Sequence, residues 1–209
     1  MTGDTPSFQE SKRYFLMVAR QLNPGYCIDE HNADAIDELI RYFSRYQEGS
    51  LDKRKGILLM GPVGTGKTTI MKIFIEIVGR SYGGTELQLF NCFRLFQAVR
   101  DGKDKGDAII NRLKGKGVAE QNRKVGRIME PVLDDIGMEP IVKDFGNDTH
   151  LSLEIIYDRY DLMEATGART HGTTNLTTEE LEDVLGTRAY DRMRAMFNLV
   201  LLDGPSRRK

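Results

Sequence analysis

Cysteine is scarce. The 209 residues include only Cys27 and Cys92, too few for a disulfide framework, which points to a reducing compartment. No apolar run approaches the roughly 20 residues a membrane span needs. The first residues, Met-Thr-Gly-Asp, lack the basic and apolar regions of a secretory signal. A cytoplasmic location with no membrane partner is therefore expected. Excess charge is also missing. The formal net charge is −1, so no global field draws the chain to nucleic acid or anionic lipid. Any such binding must come from a local patch. Cys27 and His31 form a lone Cys-x-x-x-His with no second pair, so structural zinc is not expected. No Asn-Lys-x-Asp stretch is present to read guanine.

What remains is an ordinary globular balance, 40% apolar and 29% charged, in a chain long enough for one large domain or a domain with an appendage. Its most informative stretch is Gly61, Pro62, Val63, Gly64, Thr65, Gly66, Lys67 and Thr68, followed by Thr69. The spacing is that of a phosphate-binding loop. The glycines let the backbone curl so that successive N–H groups face one anion. Lys67 is placed to reach the β- and γ-phosphates of ATP, and the Thr68 hydroxyl to meet Mg²⁺. Gly56–Met60 reads as a buried strand before the loop. Ile70, Ile73, Phe74 and Ile77 mark a helix after it, whose positive dipole end points at the same anion.

A second acidic element follows. Val132-Leu133 is a short apolar run that delivers Asp134 and Asp135 at its end. Asp134 suits a metal, directly or through water. Asp135 holds the position of a group that polarises an attacking water. Glu139 is near enough in sequence to be an alternative base. Pro131 cannot donate a ladder hydrogen bond, so this strand is expected to begin at Val132. Asn175, after Thr173-Thr174, is placed to position water on a γ-phosphate or to cap the next helix.

The chain has a two-part organisation: residues 1–50 as a helical appendage and 51–209 as a domain of alternating strands and helices, hence a parallel α/β sheet. The appendage holds one helix with Phe15, Val18, Ala19 and Leu22 on its apolar face and a second from about Asn32 to Gln47. Further on, Leu87–Phe90 with Glu86 reads as a strand. Phe93, Phe96, Ala98 and Val99 start a helix that breaks at Asp101-Gly102. Arg100 to Arg127 carries nine basic and four acidic residues. This segment fits either a track for a nucleic-acid backbone or a solvated helix pair. It has no aromatic residue, so base stacking is not supported there. A helix is expected over Asp148–Ala165, with Arg159 at its surface or facing a neighbouring subunit. The last strand is Phe197–Leu202.

Taken in order, Gly-Pro-Val-Gly-Thr-Gly-Lys-Thr, Leu-Asp-Asp-Ile-Gly-Met-Glu, Ile-Ile-Tyr-Asp-Arg-Tyr, Thr-Thr-Asn-Leu-Thr and Gly-Thr-Arg-Ala-Tyr-Asp-Arg-Met resemble the AAA+ ATPases of the DnaC-type helicase-loader and IstB-type transposition-helper group. The resemblance covers roughly residues 50–203. It implies a three-layer P-loop core with a five-stranded parallel sheet and no C-terminal lid domain. It implies that Lys67 and Thr68 bind phosphate and Mg²⁺, that Asp134 and Asp135 form the second acidic motif, and that Asn175 senses the γ-phosphate. Arg192 matches an arginine finger that completes a neighbouring subunit's site, with Arg188 as second candidate. The implied activity is ATP hydrolysis, slowed by the short Asp135 side chain. The implied partners are single-stranded DNA, a replicative helicase or a transposase, and further copies of the chain. A nucleoside kinase would use the same loop, but it would need an arginine-bearing lid that is not evident. A module that holds ATP with little turnover is the remaining alternative.

Overall fold

Alternating short strands and amphipathic helices assemble into three layers. The computed structural model describes residues 6–44, 48–81, 87–101, 104–115, 129–144 and 147–208. In chain order these form α1 (Phe8–Leu22), α2 (Ala33–Phe43), β1 (Gly56–Met60), α3 (Lys67–Ser81), β2 (Leu87–Asn91), α4 (Cys92–Arg100), α5 (Asp104–Leu113), β3 (Glu130–Asp134), β4 (Val142–Asp144), β5 (Asn147–Thr149), α6 (Leu151–Thr166), β6 (His171–Thr174), α7 (Thr178–Leu185), α8 (Thr187–Met196) and β7 (Phe197–Leu201).

Five strands make one parallel sheet in the order β2-β3-β6-β1-β7. Parallel strands need crossovers and are covered on both faces. The alternation along β1 divides the core. Leu58 and Met60 face a cluster built with α4, α5, α6, α7 and α8. Ile57 and Leu59 face the opposite cluster, built with α3, α1 and α2. The two N-terminal helices therefore close one face of the sheet. Their aromatic side chains meet α3: Phe15 lies 5.1 Å from Phe74, and Phe43 stacks on Phe74 at 4.6 Å. Helix α1 starts with a full capping box between Ser7 and Glu10.

Several expected boundaries shift. Helix α2 ends at Phe43, with Ser44 as its C-cap, short of Gln47; residues 45–47 lie outside the described residues. Leu22 ends α1 half-exposed rather than in its apolar face, and Phe93 is likewise exposed on α4. Strand β2 runs to Asn91 and is described from Leu87. Residues 147–149 belong to β5, which pairs antiparallel with β4, so α6 begins only at Leu151. Half of the basic stretch falls outside the described residues; within the rest α5 buries Ile110 and Leu113.

Strand β3 begins at Glu130 rather than Val132. Pro131 is tolerated because it lies near the strand's start. There β3 pairs in register with β2, while the paired register with β6 runs only from Val132. The polar stretch 168–172 is mostly buried and enters the central strand β6 at His171, because most of its polar groups find partners. His171 Nδ1 accepts from the Ile57 N–H at 3.1 Å. Thr170 Oγ1 accepts from Arg159 Nε at 2.8 Å. Arg159 is thus neither a surface charge nor a subunit contact. It is buried, and also donates to the Arg169 carbonyl at 2.6 Å.

Glu130 ties this layer to α2. It receives two hydrogen bonds from Arg169, 3.0 and 2.9 Å long, and Arg169 also donates to the Tyr42 hydroxyl at 3.3 Å. Burial pushes the Glu130 carboxyl up, but His171 and Arg169 outweigh it and hold the pKa at about 2, against an ordinary 4.5. Unfolding restores the ordinary value, so the unfolded chain takes this proton first as pH falls. The contribution, on the order of 3 kcal/mol, is complete above about pH 4.5 and drains as pH drops towards 2. Burial also holds His171 below its ordinary value of 6.5. Acid below that point likewise favours the unfolded chain. Urea titrations from pH 7 to pH 3 are expected to show stability falling throughout. Glu130→Gln is expected to flatten the lower part of that curve.

Candidate nucleotide site

The C-terminal ends of β1, β3 and β6 lie side by side in the sheet, the edge at which ligands of parallel α/β sheets bind. Between β1 and α3 the chain reverses through Gly61, Gly64 and Gly66, with φ of 148°, 92° and 99°, values that favour glycine. Gly61 also has no room for a Cβ, which would strike the Leu202 carbonyl. Thr65 is buried and its hydroxyl donates to the Pro62 carbonyl at 3.0 Å, which fixes the curl. Val63 stands at the exposed rim. Lys67, the first residue of α3, folds its ammonium back over the loop and donates to the carbonyls of Gly61 and Pro62 at 2.6 and 2.8 Å.

The acidic pair arrives where the sequence placed it. Thr68 Oγ1 donates to Asp134 Oδ1 at 2.8 Å. Thr173 Oγ1 donates to the same oxygen at 2.7 Å and accepts from the Asp135 N–H at 3.0 Å. Asp135 has φ of 61°, an uncommon conformation for a residue with a Cβ. The Ile136 N–H, bonded to the Thr173 carbonyl at 2.9 Å, helps to hold it. Asn175 Nδ2 donates to Asp135 Oδ1 at 3.2 Å, and Asn91 Nδ2 approaches the other oxygen at 3.4 Å. Lys67, Thr68, Thr69, Asp135 and Asn175 line one cleft with Gly64 and Gly66.

The electrostatics follow from the packing. Burial lowers the Lys67 pKa, partly offset by Asp135 and Asp134. Burial raises the Asp135 carboxyl, and Asp134 raises it further. Two carboxylates, hydroxyls and an ammonium thus gather at this edge of the sheet. The donor set at Thr68 and Asp134 is all oxygen, as Mg²⁺ requires, with water to complete an octahedron.

Other candidates lie elsewhere. Glu139 is not part of the cleft. Its carboxylate is buried and accepts from the N–H groups of Gly137 at 3.1 Å and Ser152 at 2.9 Å, and from the Ser152 hydroxyl. It fastens the loop after β3 to the first turn of α6, so it cannot serve as the alternative base. Glu139→Ala is expected to cost roughly 3 kcal/mol of stability, because two buried donors lose their acceptor. The affinity of the folded protein for ATP is expected to stay within about twofold of wild type, as measured by denaturation beside equilibrium binding.

Arg192 lies on α8 with its guanidinium 4.2 Å from the Tyr157 ring centre and 5.3 Å from that of Tyr160. It does not line the cleft of its own chain, and Arg188 on the same helix is exposed. Sequence reasoning had no role for Thr173 as the residue that aims both aspartates, nor for Asn91. Asn91 carried a legible signal, since it caps α4 by accepting from the Arg94 N–H at 3.1 Å. Asn23, Tyr26, Arg207 and Arg208 also line the cleft. They come from both ends of the chain, and no local pattern announces them.

No protein-family model and no curated protein matches the chain. Solved structures do share its fold. A crystal structure of DnaI superposes with a TM-score of 0.60 at 21% identity, over 92% of this chain and 93% of that one. The crystal structure of the DnaC helicase loader gives 0.59 at 20% identity, over 92% and 99%. The replication initiator DnaA bound to AMPPCP and single-stranded DNA gives 0.58 at 16% identity, over 87% of this chain and 49% of that one. At these identities the likeness establishes the architecture.

Proposed function

Starting from the AAA+ fold shared with the DnaC-type helicase loader, we propose that this chain binds and hydrolyses ATP and acts in DNA replication as a loader of a replicative helicase. One observation supports the nucleotide reading above the rest. Lys67, Thr68, Asp134, Asp135 and Asn175 come from three separate parts of the chain and meet at one strand edge.

In this reading the amides of Gly64 to Thr68 and the dipole of α3 hold the β- and γ-phosphates. Lys67 exchanges its two loop carbonyls for phosphate oxygens. Thr68 and Asp134 hold Mg²⁺, which when bound neutralises charge developing on the phosphates. Asp135 orients and deprotonates the attacking water, and Asn175 fixes both that carboxylate and the water. Arg192 reaches the γ-phosphate of a neighbouring subunit, so turnover requires assembly of several copies. The fold's likeness to a loader and to an initiator bound to single-stranded DNA supports single-stranded DNA and a hexameric helicase as partners, and with them a cytoplasmic location. No helix among the described residues is long and apolar enough to cross a membrane.

The test is phosphate release from ATP, with and without single-stranded DNA, beside strand displacement by a replicative helicase supplied with the protein. Hydrolysis together with faster helicase entry onto coated DNA is expected. Hydrolysis with no effect on helicase entry would separate the ATPase from the loader reading.

A further inference from the structure

Other enclosed arginines spend their N–H groups on oxygen acceptors within the chain. Arg159 donates to Thr170 Oγ1 and to the carbonyls of Arg169 and Leu113. Arg169 donates to Glu130, to the Tyr42 hydroxyl and to the Lys53 carbonyl. Arg207 donates to Asp29 Oδ1 at 2.7 Å. Arg192 is half-buried like Arg169 and Arg207, yet among the described residues no hydrogen bond and no ion pair engages it.

What holds Arg192 instead is aromatic. Tyr157 and Tyr160 lie one helical turn apart on α6 and so share a face. Helices α6 and α8 pack together. That packing sets the ring centres of Tyr157 and Tyr160 at 4.2 and 5.3 Å from the guanidinium. Both rings also pack on the core cluster beneath the two helices, which limits their movement.

The kind of contact matters. A carboxylate would neutralise the guanidinium and compete with phosphate for its N–H groups. A ring face attracts the cation through its quadrupole and takes no charge away. The N–H donors of Arg192 are thus left for an acceptor from outside the chain. A half-buried cation without such an acceptor is incompletely satisfied. A loose arginine would also lose rotamer freedom on meeting its acceptor, and the rings have already removed part of that freedom. Arg188, one turn earlier on α8, has no such seat. It is exposed, and no ring lies over it among the described residues.

We propose that Tyr157 and Tyr160 are positioning residues for Arg192, seating its guanidinium, unpaired, for the γ-phosphate of ATP bound by a neighbouring copy. This rests on the reading of Arg192 as the residue that reaches that phosphate. It favours Arg192 over Arg188 for the role. It also makes the packing of α6 on α8 in one copy a determinant of turnover in the next.

The experiment measures ATP turnover by pairs of full-length chains, with melting temperatures as a fold control. One chain carries Lys67→Ala and supplies only the arginine. The other carries Arg192→Ala and supplies only the site. Their mixture is expected to turn over ATP. Adding Tyr157→Leu to the arginine-supplying chain is expected to lower that rate about tenfold, and Tyr160→Leu, at the more distant ring, about threefold. KM for ATP is expected to stay within about twofold, because the other chain's phosphate loop is untouched. Tyr157→Phe keeps the ring and is expected to retain roughly half of the rate or more. On the site-bearing chain, which has no Arg192 to seat, Tyr157→Leu is expected to cost less than about twofold. An equal loss from either chain would make the rings packing residues and overturn the proposal. An unchanged rate with Tyr157→Leu on the arginine-supplying chain would overturn it too, and leave the finger standing. No turnover by wild type, or by the parent mixture, would overturn the finger itself and the seat with it.

Discussion

Lys67→Ala is expected to weaken ATP binding by at least about a hundredfold, the upper part of what a charged hydrogen bond contributes. The reason is local. Lys67 is the only ammonium lining the cleft among the described residues, and burial already lowers its pKa. Its two present acceptors are loop carbonyls, at 2.6 and 2.8 Å, and a neutral carbonyl is a weaker partner for a cation than a triphosphate. Exchange of one for the other therefore favours the bound state. Removing the ammonium also takes away a charge that offsets the Asp135 carboxylate, so the loop end of the cleft attracts the phosphates less. Isothermal titration with Mg²⁺-ATP measures the effect. Unchanged affinity in a variant that melts like wild type would remove the phosphate-loop assignment. Salt gives a second handle, because exposed charge interactions are screened while the enclosed ammonium contact persists.

How much of this was legible in advance differs by the kind of signal. The loop and the strand-end aspartates were readable because their chemistry is local: eight consecutive residues write the curl, and Val132-Leu133-Asp134-Asp135 writes a buried strand with its polar end. For Asn175 the sequence left two readings open; the helix cap is Thr177, and Asn175 bonds to Asp135 instead. Thr173 was not readable, because its work is done across the sheet. It aims Asp134 and the backbone of Asp135 from the neighbouring strand, and strand order is a long-range property. Glu139 misled because nearness in sequence is not nearness in space. The chain turns after Ile136, and Glu139 leaves the strand edge to meet Ser152. Arg159 misled because an arginine on a helix is usually solvated, and only the fold reveals carbonyls and a threonine waiting around it. Ala168-Arg169-Thr170-His171-Gly172 has little strand character as a sequence, yet the chain enters β6 at His171, because tertiary partners override local propensity. Arg207 and Asp29 lie 178 residues apart, and no window on the sequence joins them.

Arg192→Ala is expected to lower the turnover of the assembled protein by about 10³-fold or more, the scale of an arginine finger, with ATP affinity nearly unchanged. The argument starts from where the side chain is. It stacks on Tyr157 and Tyr160 at 4.2 and 5.3 Å, and so is held between α6 and α8. Within its own chain it does not line the cleft it is proposed to serve. A residue that contributes only across an interface has a signature that a residue within the chain lacks. Turnover per chain should rise with protein concentration in wild type and stay flat in the variant. Arg192→Lys should rescue poorly, because an ammonium cannot reproduce the planar fork or the stacking. Complementation is the sharpest form. Lys67→Ala keeps the finger and loses the site, whereas Arg192→Ala keeps the site and loses the finger. Mixing these two inactive chains should restore part of the rate, because some interfaces then pair an intact site with an intact finger. If the mixture stays inactive although the two chains co-assemble, the shared site is refuted. Recovery by a mixture with Arg188→Ala in place of Arg192→Ala would move the finger one helical turn earlier on α8.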